Sequence, residues 1–297
     1  MSDITIINDS QQSELVTNGL AKNGELYLKA AGSTDEGAVV VYDSGSWRTF
    51  ANEASSFSNT YSVEFDGSND YVTVSPVTPT AQQGTISAWI KTTSSSFSPI
   101  FSWSNTISYP TVLGTTRPVF SIDGGKLDFL YQQQHSGNNV NRVTSTSTVN
   151  DGNWHQVAVT SNGSSWALYI DGSSVSVTSA LGSNTGQWVG DVYSVNPSFV
   201  AFSDIGAARR DASIGGSSYS DMSIDEVAVW DSALSSSAIT SIYNSGVPND
   251  ISSLSPAGWW RMGDNNGGTG TTITDQGSGG NDGTLTNGPT FSTDVPS

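Results

Sequence analysis

The 297-residue chain contains no cysteine, which excludes disulfide bonds, thiolate metal sites and cysteine catalysis. Basic residues are also scarce: 10 Lys and Arg stand against 27 Asp and Glu, for a net charge of −17. Because no basic cluster is present to displace counterions from a phosphate backbone, we do not expect nucleic-acid binding. The acidity indicates either solubility or carboxylates gathered around calcium.

Long apolar runs are missing as well. No stretch approaches the roughly 18 continuous apolar residues of a spanning helix, so we expect no membrane insertion. The opening MSDITIINDS has neither the basic nor the apolar region of a secretory signal, so we expect none. Hydrophobic residues still make up 35% of the chain, which is enough for a sizeable core. Abundant Ser, Thr, Gly and Asn favour short strands joined by turns.

Apolar and polar residues alternate in the central part, which predicts an antiparallel β-sandwich with one buried face to each sheet. In the segment TISAWIK, for example, Ile86, Ala88 and Ile90 share one face and Trp89 takes the other. Asp-Gly turn signals separate the runs. The predicted strands are residues 62–65, 71–74, 85–91, 99–102, 119–122, 126–132, 154–160, 165–171 and 224–230.

Three regions follow from these patterns. Residues 1–57 form a small β arm, in which 39–42 and 47–50 flank a Gly-containing turn as a hairpin. Residues 58–255 form the sandwich, and the Gly-rich residues 256–297 are expected to complete it. One short helix is predicted after Ser235 as N-cap, with Gly246 at the C′ position. An isolated hairpin is only marginally stable, so we expect the arm to pack on a partner or on the sandwich.

Five motifs follow one another in an order that resembles laminin-G-like jelly rolls of the concanavalin A-like superfamily. They cover about two-thirds of the chain, and the resemblance implies an all-β antiparallel sandwich that binds a ligand. The motifs are FDGSNDYV (65–72), TISAWIK (85–91), DGNWHQVA (151–158), WALYIDG (166–172) and IDEVAVW (224–230).

The segment from Trp259 to Asn287 also resembles the family, but in an unusual position. A Trp–Arg pair followed by Asp-x-Gly-x-Gly-Gly-Asn-x-Gly-Thr-Leu usually precedes the sandwich, and here it follows it. A permuted strand closing the sheet within the chain would fit, and so would a strand donated to a neighbouring subunit. We favour the first alternative.

The N-terminal YDSGSWRTF segment (42–50) resembles the arms of marine bacteriophage virion proteins. That resemblance implies a non-enzymatic fibre or capsid decoration protein on the virion surface, assembled in the host cytoplasm. Its arm would contact other virion proteins, its copies would form a homo-oligomer, and its sandwich would bind host or environmental glycans. A bacterial carbohydrate-binding or adhesion module outside any virion is the alternative.

A glycoside hydrolase is the third reading, because glucanases of this superfamily place Glu-x-Asp-x-(x)-Glu on one strand. Glu64 and Asp66 supply the first pair, but the third carboxylate is missing, since Asp70 lies beyond a Gly-containing turn. Asp225 and Glu226 are adjacent, so they should point to opposite faces of a strand. We therefore expect exposed strand and turn carboxylates and no enzymatic activity.

We expect the binding residues in the segments 102–117 and 181–210. These segments lack periodicity and are predicted to be loops on a rigid scaffold. The glycan-binding candidates are Trp103, Tyr109, Tyr131, Gln133, His135, Trp188 and Tyr193. The remaining central tryptophans Trp89, Trp154, Trp166 and Trp230 are expected in the core.

Calcium is the expected cofactor, because the resemblance implies one ion held by carboxylates and carbonyls at the rim of the sandwich. Asp and Asn can also serve turn geometry alone, and that alternative stays open. The candidate oxygen ligands are Asp66, Asn69, Asp70, Asp225 and Glu226.

Overall fold

The chain forms two compact units, Met1–Phe57 and Ser58–Ser297. The structure, a computed structural model, describes residues 5–7, 26–29, 39–43, 46–50, 57–74, 77, 82–104, 117–133, 139–195, 202–208 and 217–297.

The first unit contains a four-stranded sheet. Its strands, in order, are β1 (Thr5–Ile7), β2 (Leu26–Lys29), β3 (Val39–Asp43) and β4 (Ser46–Phe50). β1 and β2 are parallel, and the other pairs are antiparallel. The pairing of β3 with β4 confirms the predicted hairpin, whose turn residues 44 and 45 lie outside the described residues.

The second unit is the predicted antiparallel sandwich of two large sheets. Across the nine-stranded sheet the strands are β15 (Val177–Leu181), β11 (Asn139–Thr148), β10 (Lys126–Gln133), β9 (Arg117–Asp123), β8 (Ser98–Ser104), β16 (Phe202–Ile205), β6 (Tyr71–Val74), β22 (Gly283–Thr286) and β21 (Thr272–Ile273). Across the eight-stranded sheet they are β14 (Ser173–Val175), β13 (Trp166–Ile170), β12 (Trp154–Ser161), β7 (Gly84–Lys91), β19 (Asp221–Trp230), β5 (Ser62–Asp66) and β23 (Thr290–Ser292), with β20 (Gly258–Trp260) also on β19. A short pair, β17 (Ala207–Ala208) and β18 (Ser218–Tyr219), is separate.

The core lies between the inner faces of the two sheets. Ile86, Ala88 and Ile90 of β7 are fully buried there, as their alternation predicts. Trp89 faces the other side, where its ring stacks on Tyr243 with centroids 5.8 Å apart. The outer face of the eight-stranded sheet is thus partly covered by the helix that carries Tyr243.

Two short α-helices accompany the sheets in the described part of the chain. α1 (Val189–Val195) lies in a stretch predicted to be a loop. α2 (Ser236–Tyr243) is the predicted helix, and the Ser235 hydroxyl accepts a hydrogen bond from the backbone N–H of Ala238 at 3.2 Å. The cap at its end is Asn244 with φ 45°, not Gly246 as predicted. No helix within the described ranges is long and apolar enough to cross a membrane.

The C-terminal segment adds strands to both sheets within the same chain. β20 pairs with β19, β22 pairs with β6, and β23 pairs with β5. The last residues of the chain therefore lie beside β5 on the eight-stranded sheet.

Candidate functional site

Trp103 and Trp188 do not lie in ligand-accessible loops, so the prediction of two aromatic platforms is wrong. Both side chains are fully buried, and their rings meet edge to face with centroids 5.8 Å apart. Trp103 is the penultimate residue of strand β8, and its indole N–H donates to the Val77 carbonyl at 2.9 Å. Trp188 directly precedes α1, so the two segments that lack clear periodicity both contain a core residue.

Tyr131 and Gln133 are also buried, with 0% and 7% of their surfaces exposed. They share a face of β10 with Phe129, a core residue, because alternate residues of a strand point the same way. Burial, reinforced by the Asp191 carboxylate, raises the pKa of Tyr131. Both predictions of glycan contact are therefore wrong.

The other three aromatic or His candidates are not tested. Tyr109 and His135 lie outside the described residues. Tyr193 falls within α1, where only the backbone is described.

Asp225 and Glu226 depart from the predicted exposed, alternating arrangement. The register of β19 against β7 shifts between Asp225 and Ala228, and Glu226 adopts φ 47°. This bulge breaks the alternation, and the two residues are only 0% and 6% exposed. Asp225 accepts hydrogen bonds from the Asn59 amide at 2.9 Å and from the Glu226 backbone N–H at 2.8 Å.

Arg261 compensates part of this buried charge. Its Nε donates to Glu226 at 3.0 Å, and its Nη2 donates to Asp264 at 2.8 Å. Asp264 in turn accepts from the backbone N–H groups of Thr60 and Tyr61 at 2.8 and 2.9 Å. We call Asp225, Glu226, Arg261 and Asp264 the carboxylate clasp, because they join residues 59–61, strand β19 and the C-terminal segment.

Burial dominates the electrostatics of the clasp. It raises the pKa of Glu226 to about 7, although Arg261 and the Trp259 indole oppose the change. It also raises the pKa of Asp225, with repulsion from Glu226 adding to the effect. The void next to Glu226 measures only about 10 Å³, so these carboxylates are not placed to meet a sugar.

The five predicted calcium ligands do not form one site. Asp66, Asn69 and Asp70 belong to one turn, where the Asp66 carboxylate already accepts from the Ser68 backbone N–H at 2.8 Å. Asp221 pairs with Asp66, and Asp225 lies four residues further along β19, about 13 Å away. Among the described residues no three His, Asp or Glu side chains lie close enough to hold a metal. Calcium binding stays a prediction.

An open cleft lies at one end of the eight-stranded sheet, and we call it the β5–β19 cleft. Its volume is about 330 Å³. Phe65 and Met222, which pair across β5 and β19, lie beneath it in the core and are only 3% and 5% exposed. The residues that line it are Glu64, Phe65, Lys91, Thr92, Thr93, Gly152, Asp221, Met222 and Ser223.

The strand register places a row of side chains across the outer face of this sheet. Glu64 pairs with Ser223, Ser223 with Lys91, and Lys91 with Trp154. Trp154 is partly exposed beside the cleft, so its predicted role in the core is wrong. Asp294 fixes the end of the row, since it accepts from the Trp154 indole at 3.0 Å and from Lys91 at 2.5 Å. These two hydrogen bonds lower the pKa of Asp294.

The turn at Asp151 and Gly152 forms one wall of the cleft. The Gly152 backbone N–H donates to the Thr92 carbonyl at 3.0 Å. His155 links this wall to the next turn, because its Nδ1 lies 2.9 Å from Asp171 and its Nε2 lies 3.2 Å from Asp151. The hydrogen bond with Asp171 is the main cause that raises the pKa of His155. The wall is therefore held by a bridging imidazole.

Sequence reasoning singled out Glu64 but missed the cleft. Its residues come from separate segments of the chain, and only the strand register brings them together. Hydroxyl groups, exposed carboxylates and a neighbouring indole can together receive a polyol by hydrogen bonding and C–H contact.

Residues 66–240 match the Laminin_G_3 family, described as the concanavalin A-like lectin/glucanases superfamily, and this match spans more than half of the 297 residues. The chain belongs to the Laminin_G_3 family. The curated relative is a rat (Rattus norvegicus) protein, the sushi, von Willebrand factor type A, EGF and pentraxin domain-containing protein 1. The two are 29% identical over 116 residues, which is 37% of this chain and 3% of the rat protein.

Solved structures share the fold of this family member. A candidate carbohydrate-binding protein from Bacteroides ovatus superposes with a TM-score of 0.54 at 17% identity, over 93% of this chain and 71% of that one. A heptameric SAP-like pentraxin from Limulus polyphemus gives a TM-score of 0.44 at 18% identity, over 62% of this chain and 82% of that one. At 17% identity the likeness to the Bacteroides ovatus protein shows the fold alone.

Proposed function

We propose that the sandwich is a lectin-like domain that binds carbohydrate in the β5–β19 cleft without transforming it. The observation that carries this proposal is the row Glu64, Ser223, Lys91 and Trp154 beside an open cleft of about 330 Å³. Hydroxyl and carboxylate groups can bond the hydroxyls of a sugar, and the indole can cover a C–H face. The Bacteroides ovatus protein of the same fold is described as a candidate carbohydrate-binding protein, which supports the same class of ligand.

Binding without hydrolysis is favoured by the setting of the carboxylates in the cleft. Glu64 and Asp221, which line it, are both exposed. A glycosidase keeps its general acid in a water-poor environment that holds its proton at working pH. The buried pair Asp225 and Glu226 has such an environment, but it lies beside a void too small for a sugar.

Calorimetric titration of the full chain with a panel of neutral, cationic and anionic oligosaccharides tests the binding. Trp154→Ala should weaken the affinity about tenfold, and Trp154→Phe should weaken it less because an aromatic face remains. Leu181→Ala is the matched control, since Leu181 is 50% exposed on an edge strand of the other sheet. Equal affinities in all variants would exclude this cleft, and no binding with or without calcium would exclude the ligand class.

The glycoside hydrolase alternative has its own test, because Glu64 does line the cleft. We expect no release of reducing ends from a wide panel of polysaccharides. Release by the full chain that disappears in Glu64→Gln would establish an enzyme and contradict our proposal.

We further propose that the domain is displayed on the surface of a bacteriophage particle as a non-enzymatic fibre or capsid decoration protein, with host or environmental glycans as ligands. The support is the resemblance of residues 42–50, which fall in the β3–β4 hairpin region, to virion protein arms. The first unit would then contact other virion proteins, and the copies would form a homo-oligomer. Co-purification with particles in a fixed, symmetric copy number is the expected result. Absence from purified particles would favour a bacterial adhesion module instead.

A further inference from the structure

We infer that the β5–β19 cleft selects sugars that carry a protonated amine, such as a short oligomer of glucosamine. This inference rests on the proposed carbohydrate binding. The same geometry disfavours sialylated, sulfated and uronic sugars.

Free negative charge lines the cleft. Glu64 and Asp221 lie on neighbouring strands at its edge. Within the part of the chain that the structure describes, neither carboxylate has a hydrogen-bond or ion-pair partner. An unpaired carboxylate in an open cleft attracts a cation, and dissolved salt screens that attraction.

The positive charge that lines the cleft is already engaged. The Lys91 ammonium lies 2.5 Å from the Asp294 carboxylate, which the Trp154 indole also holds in place. With that pair neutral, Glu64 and Asp221 leave the lining with an excess of negative charge. The net charge of −17 on the whole chain has the same sign and adds to the repulsion of anionic sugars.

The shape of the cleft favours an amino sugar over a bare cation. The described residues bring no three carboxylate or imidazole groups together for a metal. The Thr93 and Ser223 hydroxyls line the same cleft and can bond the hydroxyls of a sugar ring. About 330 Å³ is at the lower end of small-molecule sites, which suits a short oligosaccharide.

The test is calorimetric titration of the full chain at about pH 6, where an aliphatic amine is protonated. Glucosamine oligomers are compared with N-acetylglucosamine oligomers of the same length. We expect at least a tenfold preference for the amine form, reduced by added salt because the attraction is electrostatic.

Isosteric variants then assign the preference to the cleft. Glu64→Gln and Asp221→Asn should each reduce the preference several-fold, and the double variant should abolish it. Asp231→Asn is the matched control, because Asp231 is exposed just beyond the opposite end of β19. Unchanged thermal unfolding in each variant shows that the fold persists.

The outcomes separate this inference from the proposal on which it rests. Equal binding of both oligomers, or a preference that survives in the double variant, would overturn the amine selectivity and leave carbohydrate binding intact. Spermidine that binds as tightly as the amino sugar would also overturn it. Failure of every sugar to bind would remove carbohydrate binding itself.

Discussion

Trp259 donates its indole N–H to the Glu226 carboxylate at 2.6 Å, which ties the C-terminal segment to the bulge of β19. The same carboxylate accepts from Arg261 at 3.0 Å. Asp264 accepts from the same guanidinium at 2.8 Å, whereas Asp225 accepts from Asn59, so the clasp contains three carboxylates and one guanidinium that contacts two of them. Because an uncompensated buried charge is strongly unfavourable, burial raises the pKa of both Asp225 and Glu226.

The first prediction concerns the pH dependence of unfolding. The pKa of Glu226 is raised from 4.5 to about 7, so between these values the folded chain binds more protons than the unfolded chain. The free energy of unfolding should therefore fall as the pH rises from about 4.5 to 7, by up to about 1.4 kcal/mol for each unit of the pKa difference. Denaturant titrations at several pH values, followed by tryptophan fluorescence, measure it.

Glu226→Gln provides the control for that slope. The amide oxygen can still accept from Trp259, but the residue no longer titrates. We expect a flatter profile between pH 4.5 and 7 than in the natural chain. An unchanged slope in Glu226→Gln would show that another group causes the dependence.

The bulge marks the limit of what the sequence predicts about the fold. Strand β7 follows strict alternation, so the burial of Ile86, Ala88 and Ile90 could be read directly from the sequence. Glu226 is a non-glycine residue with φ 47°, and no local sequence pattern predicts such a bulge. Long-range contacts with Trp259 and Arg261 stabilise it, and they lie more than 30 residues away.

The site was harder to predict than the fold, for a related reason. Trp188 looks like a loop residue because its neighbours are polar and aperiodic, yet its ring stacks on Phe129 at 5.3 Å in the core. Conversely, Trp154 sits in a regular strand motif but lies partly exposed beside the cleft. Residue type alone does not separate a packing indole from a binding one, because strand register decides which way each points.

A second prediction follows from the packing of Trp188 on Gly84. A Cβ added at residue 84 would overlap the indole nitrogen of Trp188 and would lie 2.8 Å from the Trp230 carbonyl oxygen. Because both neighbours belong to the packed core, Gly84→Ala should lower the free energy of unfolding by about 1–3 kcal/mol. Thermal and denaturant unfolding of the full chain measure the loss.

Gly280→Ala separates crowding from backbone strain. Gly280 has φ 62° with open space around its Cβ position, so only the conformational penalty of about 1 kcal/mol applies. We expect a smaller loss than for Gly84→Ala. Equal losses in the two variants would argue against tight packing at Gly84.

The third prediction concerns His155, the imidazole that bridges Asp151 and Asp171. Its pKa is raised above the ordinary value of 6.5. Its contribution to stability should be fully present below about pH 6.5 and should be lost as the pH rises through the folded pKa. Proton NMR titration can follow the imidazole directly, because His135 is the only other histidine and His135→Gln assigns the signals.

Asp171→Asn tests the cause of that shift. Asp171 supplies the largest contribution and has φ 50°, a conformation that Asn tolerates well. We expect the pKa of His155 to fall in this variant while the fold persists. A pKa at or below 6.5 in the natural chain would contradict the bridging geometry.

The last prediction concerns the C-terminal strand β23, which pairs with β5 through Thr290, Phe291 and Ser292. Removing residues 289–297 deletes this strand together with Asp294, whose backbone carbonyl also accepts from the Ser62 hydroxyl at 2.7 Å. Each lost hydrogen bond should lower the free energy of unfolding by about 1 kcal/mol. Lys91 loses its counter-ion at the same time, so the truncated chain should bind a cationic sugar less tightly than the full chain.

The truncation also distinguishes the two ways in which the C-terminal segment could complete the sandwich. The structure pairs β22 with β6 and β23 with β5 inside one chain, so the loss of stability should not depend on protein concentration. A strand donated by a neighbouring copy would instead make unfolding concentration-dependent and would link truncation to dissociation. Sedimentation velocity of the full and truncated chains over a hundredfold dilution range measures this, and dissociation on truncation without loss of monomer stability would overturn the intrachain pairing.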